Sequence, residues 1–210
     1  MIQGDEEWIA ARLGKVTASR ISDVTAKTKS GWSETRANYM ADLITERLTG
    51  KQAERYVTAA MLRGTETEAE ARAAYQFERG TLVQTTGFHD HPSISMAGAS
   101  PDGFVGQDGG IEAKCPDTKT HINYLLGASI PGAYVGQMQF QMAVTGRAWL
   151  DWISYDNRLP ESMQLHIRRV HRDDKFIANI EAQVREFLSE LDAKLAALTA
   201  RYGAPERQAA

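Results

Sequence analysis

SPDGFVGQDGGIEAKCP, residues 100–116, reads as two short strands joined by a turn. DGFVG and GIEAKC are rich in β-formers, and Asp108-Gly109 between them is a hairpin signal, because both turn positions tolerate a positive φ. The side-chain period of two puts Ile111, Ala113 and Cys115 on one face of the second strand and Glu112 and Lys114 on the other. The hairpin folds Pro101-Asp102-Gly103 back towards the Lys114 end, which brings Asp102, Glu112 and Lys114 within reach of one divalent ion. Oxygen ligands with few nitrogens nearby favour a hard cation, Mg²⁺ or Mn²⁺, over zinc. Such a site suits phosphodiester hydrolysis: one ion activates water and neutralises phosphate charge, and two would clamp both the attacking and the leaving oxygens. Lys114 would hold the attacking water or stabilise developing negative charge. A bare Glu-x-Lys reads as a surface salt pair; Pro-Asp ahead of the hairpin makes the combination more specific.

Upstream, the chain reads as helical. Asp5 is placed to cap a short helix through Trp8, Ile9 and Leu13, with Gly14 as its stop, and Thr17 to cap TASRISDVTA. Ser33 starts a longer helix with Met40, Leu43, Ile44 and Leu48 at helical spacing and Gly50 closing it. Thr65 opens TETEAEARAAYQFERG, whose Glu68, Ala71, Arg72 and Tyr75 share a face. After Gly80, TLVQTTGF and SISMAG read as short strands. Downstream, THINYLLG and AYVGQMQFQMAVTG read as helices and RAWLDWISY and SMQLHIRRV as strands, the first apolar on both faces like a central strand. From Asp173 to Arg201 one amphipathic helix carries a stripe of Phe176, Ile180, Val184, Phe187, Leu191, Leu195 and Leu198. This order implies one α/β (α+β) domain over residues 1–210: a mainly helical part at 1–80, a mixed central sheet flanked by helices at 81–172, and a C-terminal helix at 173–201.

The 210 residues carry 24 Lys+Arg and 27 Asp+Glu, a formal charge of −3, and are 42% hydrophobic. That is the make-up of a globular domain and excludes a disordered or fibrous chain. No apolar run is long enough for a bilayer, and the acidic opening MIQGDEEW does not read as a signal peptide. The single cysteine, Cys115, excludes an internal disulfide and fits a reducing cytoplasm. A nucleic-acid site in so acidic a chain must be a local basic surface. Six basic residues from Arg12 to Arg36 (Arg12, Lys15, Arg20, Lys27, Lys29, Arg36) against Asp23 and Glu34 supply a candidate.

Other features have plainer readings. His89-Asp90-His91 ahead of Pro92 reads as a polar turn rather than a metal site. Met138, Phe140 and Met142 read as core packing, Trp149 and Trp152 as anchors of a central strand, and Cys115 as a buried structural thiol.

The order PDG…EAK resembles the PD-(D/E)xK nuclease superfamily with its restriction-endonuclease-like core. The wider text resembles the lambda-exonuclease-like, YqaJ-type phage recombination nucleases. GDEEWIAARLGKVTASRISDV, RGTETEAEARAAYQF, ASPDGFVGQDGGIEAKCP, AYVGQMQFQMAVTG and AWLDWISYD carry the likeness in family order. The resemblance implies metal ligands at Glu68, Asp102, Glu112 and the Ala113 carbonyl, with catalytic roles for Asp102, Glu112, Lys114 and Gln137; Gln141 lies one turn from Gln137. It implies that Arg12, Ser19 and Ser100 hold a terminal 5′-phosphate; Lys29, from the basic run, is read as part of the DNA-binding surface, and residues 1–80 as the DNA-end-binding part. At Thr120, where a further cationic phosphate contact is expected, the chain departs from the pattern, and Lys119 or His121 is the substitute. The implied activity is Mg²⁺-dependent (Mn²⁺ substituting), processive 5′-to-3′ digestion of one strand of linear duplex DNA, with two ions per site. Mononucleotides and 3′ tails would result. The implied setting is a homotrimeric ring in a bacterial host's cytoplasm, working with a phage single-strand annealing protein. The alternatives are a catalytically silent DNA-end-binding protein and an endonuclease on the same fold.

Overall fold

In the computed structural model, residues 3–53 and 59–203 are described. Asp5 caps α1 (Glu6–Arg12), its carboxylate accepting the Trp8 N–H at 2.7 Å. Thr17 takes the N-cap position expected of it, ahead of Ala18–Arg20, but its side chain makes no cap hydrogen bond. Val16–Thr17 forms strand β1, because Val16 is drawn wholly into the core and pairs in parallel with a later strand. A short 3₁₀ turn leads into α2 (Ile21–Val24). A small hairpin that the sequence reading missed, β2 (Lys27–Thr28) and β3 (Gly31–Trp32), precedes α3 (Glu34–Thr49). Ser33 caps α3 through the Arg36 N–H, and Gly50, at φ +69°, closes it. α4 (Ala59–Arg79) has Thr65 inside it rather than at its start.

TLVQTTGF is not a strand; Gln84 alone bridges to Phe104. His89–Asp90, read as a turn, is strand β4, paired with β5 (Ala97–Ala99), which also takes β1 on its other side. The hairpin of residues 100–116 is present as β6 (Gly103–Val105) and β7 (Gly109–Lys114). Its turn is not centred on Asp108-Gly109. Residues 106–108 form the loop, and Gly106, at φ +56°, takes the left-handed conformation. Gly109 serves close packing instead: a Cβ there would sit 2.0 Å from the Trp149 ring. After α5 (Thr118–Leu125) and α6 (Gly132–Thr145) come β8 (Trp149–Tyr155), β9 (Leu165–His171) and α7 (Asp174–Tyr202).

The main sheet has the order β6-β7-β8-β9, with β7 and β8 parallel and the outer pairs antiparallel. A parallel neighbour needs a crossover, which α5 and α6 provide. On one face of the sheet Ala71 and Tyr75 of α4 pack on Ile111, Ala113 and Ile153. On the other, Met138 and Met142 of α6 and Tyr124 of α5 pack on Leu150 and Trp152. β8 is therefore central, as its sequence indicated, although it also buries Asp151. That carboxylate accepts from the Tyr75 hydroxyl at 2.8 Å and pairs with Arg169, whose guanidinium stacks 3.5 Å from the Trp149 ring centroid. A third body of core joins Val16, Ile21, Tyr39 and Leu43 to Phe140 and to Ile180, Val184, Phe187 and Leu191 of α7. The α7 stripe includes Ile177 and Leu188, whereas Phe176 and Leu198, expected in it, are exposed. Among the described residues no helix is long and apolar enough to cross a membrane.

Candidate active site

β7 lies between β6 and β8 and is buried along most of its length, so its two polar side chains have few places to go. Glu112 is 1% exposed and faces α6. Its Oε1 accepts from Lys114 Nζ at 2.5 Å and from Gln137 Nε2 at 2.6 Å; its Oε2 accepts from Gln141 Nε2 at 2.6 Å. The alternation expected for GIEAKC is therefore present, with Ala113 on the α4 face and Cys115 packed against the same cluster. Burial pushes the Cys115 thiol up to about 11, which suits a structural thiol rather than a nucleophile.

Asp102 sits just before β6 and reaches across the hairpin, its Oδ2 accepting the Ala113 N–H at 2.7 Å. In an extended strand the N–H and C=O of one residue point to the same edge, so the Ala113 carbonyl also faces the Asp102 side. Glu68 approaches from α4, with Arg72 3.7 Å away; Arg72 also donates to the Asp102 carbonyl at 3.2 Å. Burial, then the Glu112 and Glu68 charges, holds the Asp102 carboxyl well above its ordinary pKa. Burial likewise raises Glu68, with Glu112 adding to it against Arg72 and Lys114. Burial works against the Lys114 ammonium, yet Glu112 and Asp102 outweigh it and hold its pKa above the usual lysine value. Asp102 and Glu68, both raised with neighbouring carboxylates contributing, have an unmet demand for positive charge, and an all-oxygen set of this kind fits a hard divalent cation. Among the described residues no three His, Cys, Asp or Glu side chains are already gathered as a metal cluster. The reason is visible in their partners: Glu112 is turned to Lys114 and the two glutamines, Asp102 to Ala113, and Glu68 to Arg72.

A cavity of about 180 Å³ joins Asp102, Glu112, Lys114, Gln137 and Gln141 to Arg12, Ser19 and Ser100. Trp8 and Gln3 also line it. The Trp8 indole donates to the Ser100 hydroxyl at 2.8 Å, and the Arg12 guanidinium stacks 3.8 Å from the Trp8 ring centroid. The N-terminal helix is thereby fastened to the residues preceding Asp102. Lys29, Thr120 and the Lys119 or His121 substitute do not line this cavity. Lys29 lies exposed at the β2–β3 hairpin, away from the cavity, because the local pairing of those strands carries it outward. Thr120 is used locally: its N–H and hydroxyl both donate to Asp117, the cap of α5. His121 is fully buried between the Ser154 hydroxyl and the Met163 carbonyl and cannot contact DNA there; Lys119 is exposed. The basic run from Arg12 to Arg36 is also less positive in the fold than in the sequence, since Asp90 pairs with Lys15, Asp42 with Arg20 and Glu190 with Arg36. Trp8 was missed as a site residue; its i, i+4 spacing to Arg12 was the available signal. His91, set aside as part of a turn, is buried and shares a hydrogen bond with Glu181 of α7 at 3.2 Å.

This mixed sheet, with its acid-lysine strand between covering helices, is the nuclease fold of phage-related exonucleases. Residues 7–148 match the YqaJ-like viral recombinase domain, and the chain belongs to that family. It is similar to the alkaline exonuclease LHK-Exo of Laribacter hongkongensis, at 52% identity over 94% of this chain and 97% of that one, with a TM-score of 0.88. The same similarity holds to LHK-Exo in complex with dAMP. A phage-related exonuclease of Haemophilus somnus 129PT, 17% identical over 88% of this chain and 96% of its own, shares the fold with a TM-score of 0.71. The Escherichia coli K12 protein ExoD is 33% identical over 76 residues, 36% of this chain and 85% of ExoD.

Proposed function

We propose that this chain is a Mg²⁺-dependent, processive 5′-to-3′ exonuclease that degrades one strand of linear duplex DNA to 5′-mononucleotides and leaves 3′ single-stranded tails. The observation that carries the reading is the meeting of Asp102, Glu112, Lys114 and Gln137 with Arg12, Ser19 and Ser100 around one cavity. Chemistry and anchorage of a strand end then share a single chamber. The similarity to LHK-Exo, which has been solved with the mononucleotide dAMP, supports a nuclease that releases mononucleotides. Glu68, Asp102, Glu112 and the Ala113 carbonyl would hold the divalent ions, which supply an activated water and neutralise charge on the scissile phosphate.

The protein's own groups divide the remaining work. Lys114, which pairs with Glu112, orients the attacking water or meets negative charge as it develops. Gln137 keeps Glu112 aimed from α6. Arg12, Ser19 and Ser100 receive the terminal 5′-phosphate, with the Arg12 plane set by its stacking on Trp8. Tails of this kind are substrates for strand annealing, so a phage annealing protein in a bacterial cytoplasm is the matching partner, and a homotrimeric ring the matching assembly.

The test is digestion of end-labelled linear duplex, 5′-phosphorylated or 5′-hydroxyl, with Mg²⁺ or with EDTA, beside a closed circular duplex. Faster loss of the phosphorylated strand, release of 5′-mononucleotides and an intact circle are expected. Full activity in EDTA, or cutting of the circle, would contradict the reading.

A further inference from the structure

Both oxygens of the Glu112 carboxylate are held from α6, Oε1 by Gln137 and Oε2 by Gln141, each at 2.6 Å. The two glutamines stand one helical turn apart, so a single rigid element carries both donors. Gln141 is fully buried, and its own Oε1 has no hydrogen-bond partner among the described residues. An unpaired buried acceptor lowers stability, and a leucine of similar size would avoid that cost. Turning the amide over would not help, because Oε1 would then face the anionic Oε2 of Glu112. The fold thus accepts an unsatisfied oxygen in order to keep one donor on Oε2. Gln137 alone would leave the carboxylate free to pivot about Oε1, where it shares its place with the Lys114 ammonium. Gln141 removes the pivot.

We propose that Gln141 is a positioning residue that sets which divalent cation the site accepts, by keeping the Glu112 carboxylate from turning. The inference rests on the reading of this site as a divalent-cation centre. Mg²⁺ demands a near-ideal octahedron, whereas Ca²⁺ takes six to eight oxygens in flexible geometry and readily uses both oxygens of one carboxylate. A carboxylate fixed in rotation cannot switch between one-oxygen and two-oxygen contact, so it disfavours the larger ion. A carboxylate that turns accommodates both.

The experiment uses the full chain without DNA, following bound Mn²⁺ by electron paramagnetic resonance and displacing it with Mg²⁺ or Ca²⁺. The wild type is expected to prefer Mg²⁺, and a wild-type preference for Ca²⁺ would overturn the proposal without any variant. In Gln141→Met, and in Gln141→Leu as a second variant, the ratio of Ca²⁺ to Mg²⁺ affinity is expected to rise by about tenfold, the size of effect that outer partners of metal ligands exert. Thermal melting by circular dichroism establishes that each variant is folded. If Gln141 only packs the core, both affinities fall together and the ratio stays put, which overturns the proposal while leaving the cation centre intact. Failure of the wild type to bind Mn²⁺ overturns the cation centre itself and the proposal with it.

Discussion

Lys114 is held by the carboxylate it is proposed to assist, and that double duty makes its removal informative. Lys114→Ala is expected to lower kcat by about 10²–10³, as loss of one charge-stabilising donor does, while the affinity for DNA ends changes little. Steady-state kinetics beside an end-binding assay separate the two; a loss confined to binding would assign Lys114 to anchorage. Asp102→Ala and Glu112→Ala are expected to abolish hydrolysis and spare end binding. Arg12→Ala is expected to erase the rate difference between 5′-phosphate and 5′-hydroxyl ends, because Arg12 lines the chamber from α1 whereas the carboxylates come from the hairpin. At this scale the sequence was most legible where period and hairpin act together: Asp102, Glu112 and Lys114 converge as strand alternation requires. It was least legible where a residue's partner is remote in the chain. Nothing near Lys15, Arg20 or Arg36 announces Asp90, Asp42 or Glu190.

Among the elements, the helices with caps were readable from their first residue, Ser33 and Asp5 above all, because a cap is a local hydrogen bond. The short strands were not. β1 and β4 have two residues each, and their pairing with β5 is decided by the core around Val16 and Ala97, not by propensity. Gly109 marks how tightly β7 and β8 are joined. Gly109→Ala would drive a Cβ into the Trp149 ring and disturb the Arg169–Asp151 pair behind it, a destabilisation of about 1–3 kcal/mol typical of overpacking, read by urea unfolding. The tie between His91, just after β4, and α7 has a pH signature. Burial holds His91 below its ordinary pKa against the pull of Glu181, so the unfolded chain takes up the proton first. The stabilisation is therefore full above about pH 6.5 and is lost as the pH falls through that value towards the folded pKa. The melting temperature of the wild type is expected to fall more steeply between pH 7.5 and 5.5 than that of His91→Gln, and parallel curves would remove His91 from the account.

For the whole molecule, the proposed ring makes a prediction of its own. Sedimentation equilibrium is expected to give a trimer at micromolar concentration, and mixing in inactive Lys114→Ala chains is expected to slow digestion in graded fashion. A monomer that digests processively would exclude the ring. The closure of the fold by α7 has a further consequence in the cell. The core that backs Val16, Ile21 and Leu43 is completed by Ile180, Val184, Phe187 and Leu191, and Arg36 waits for Glu190. During translation all the proposed ligands therefore leave the ribosome well before the N-terminal half can settle against its missing helix. A nascent chain holds every reactive group yet lacks the support for the chamber they must share, so the order of synthesis itself delays the appearance of a working nuclease.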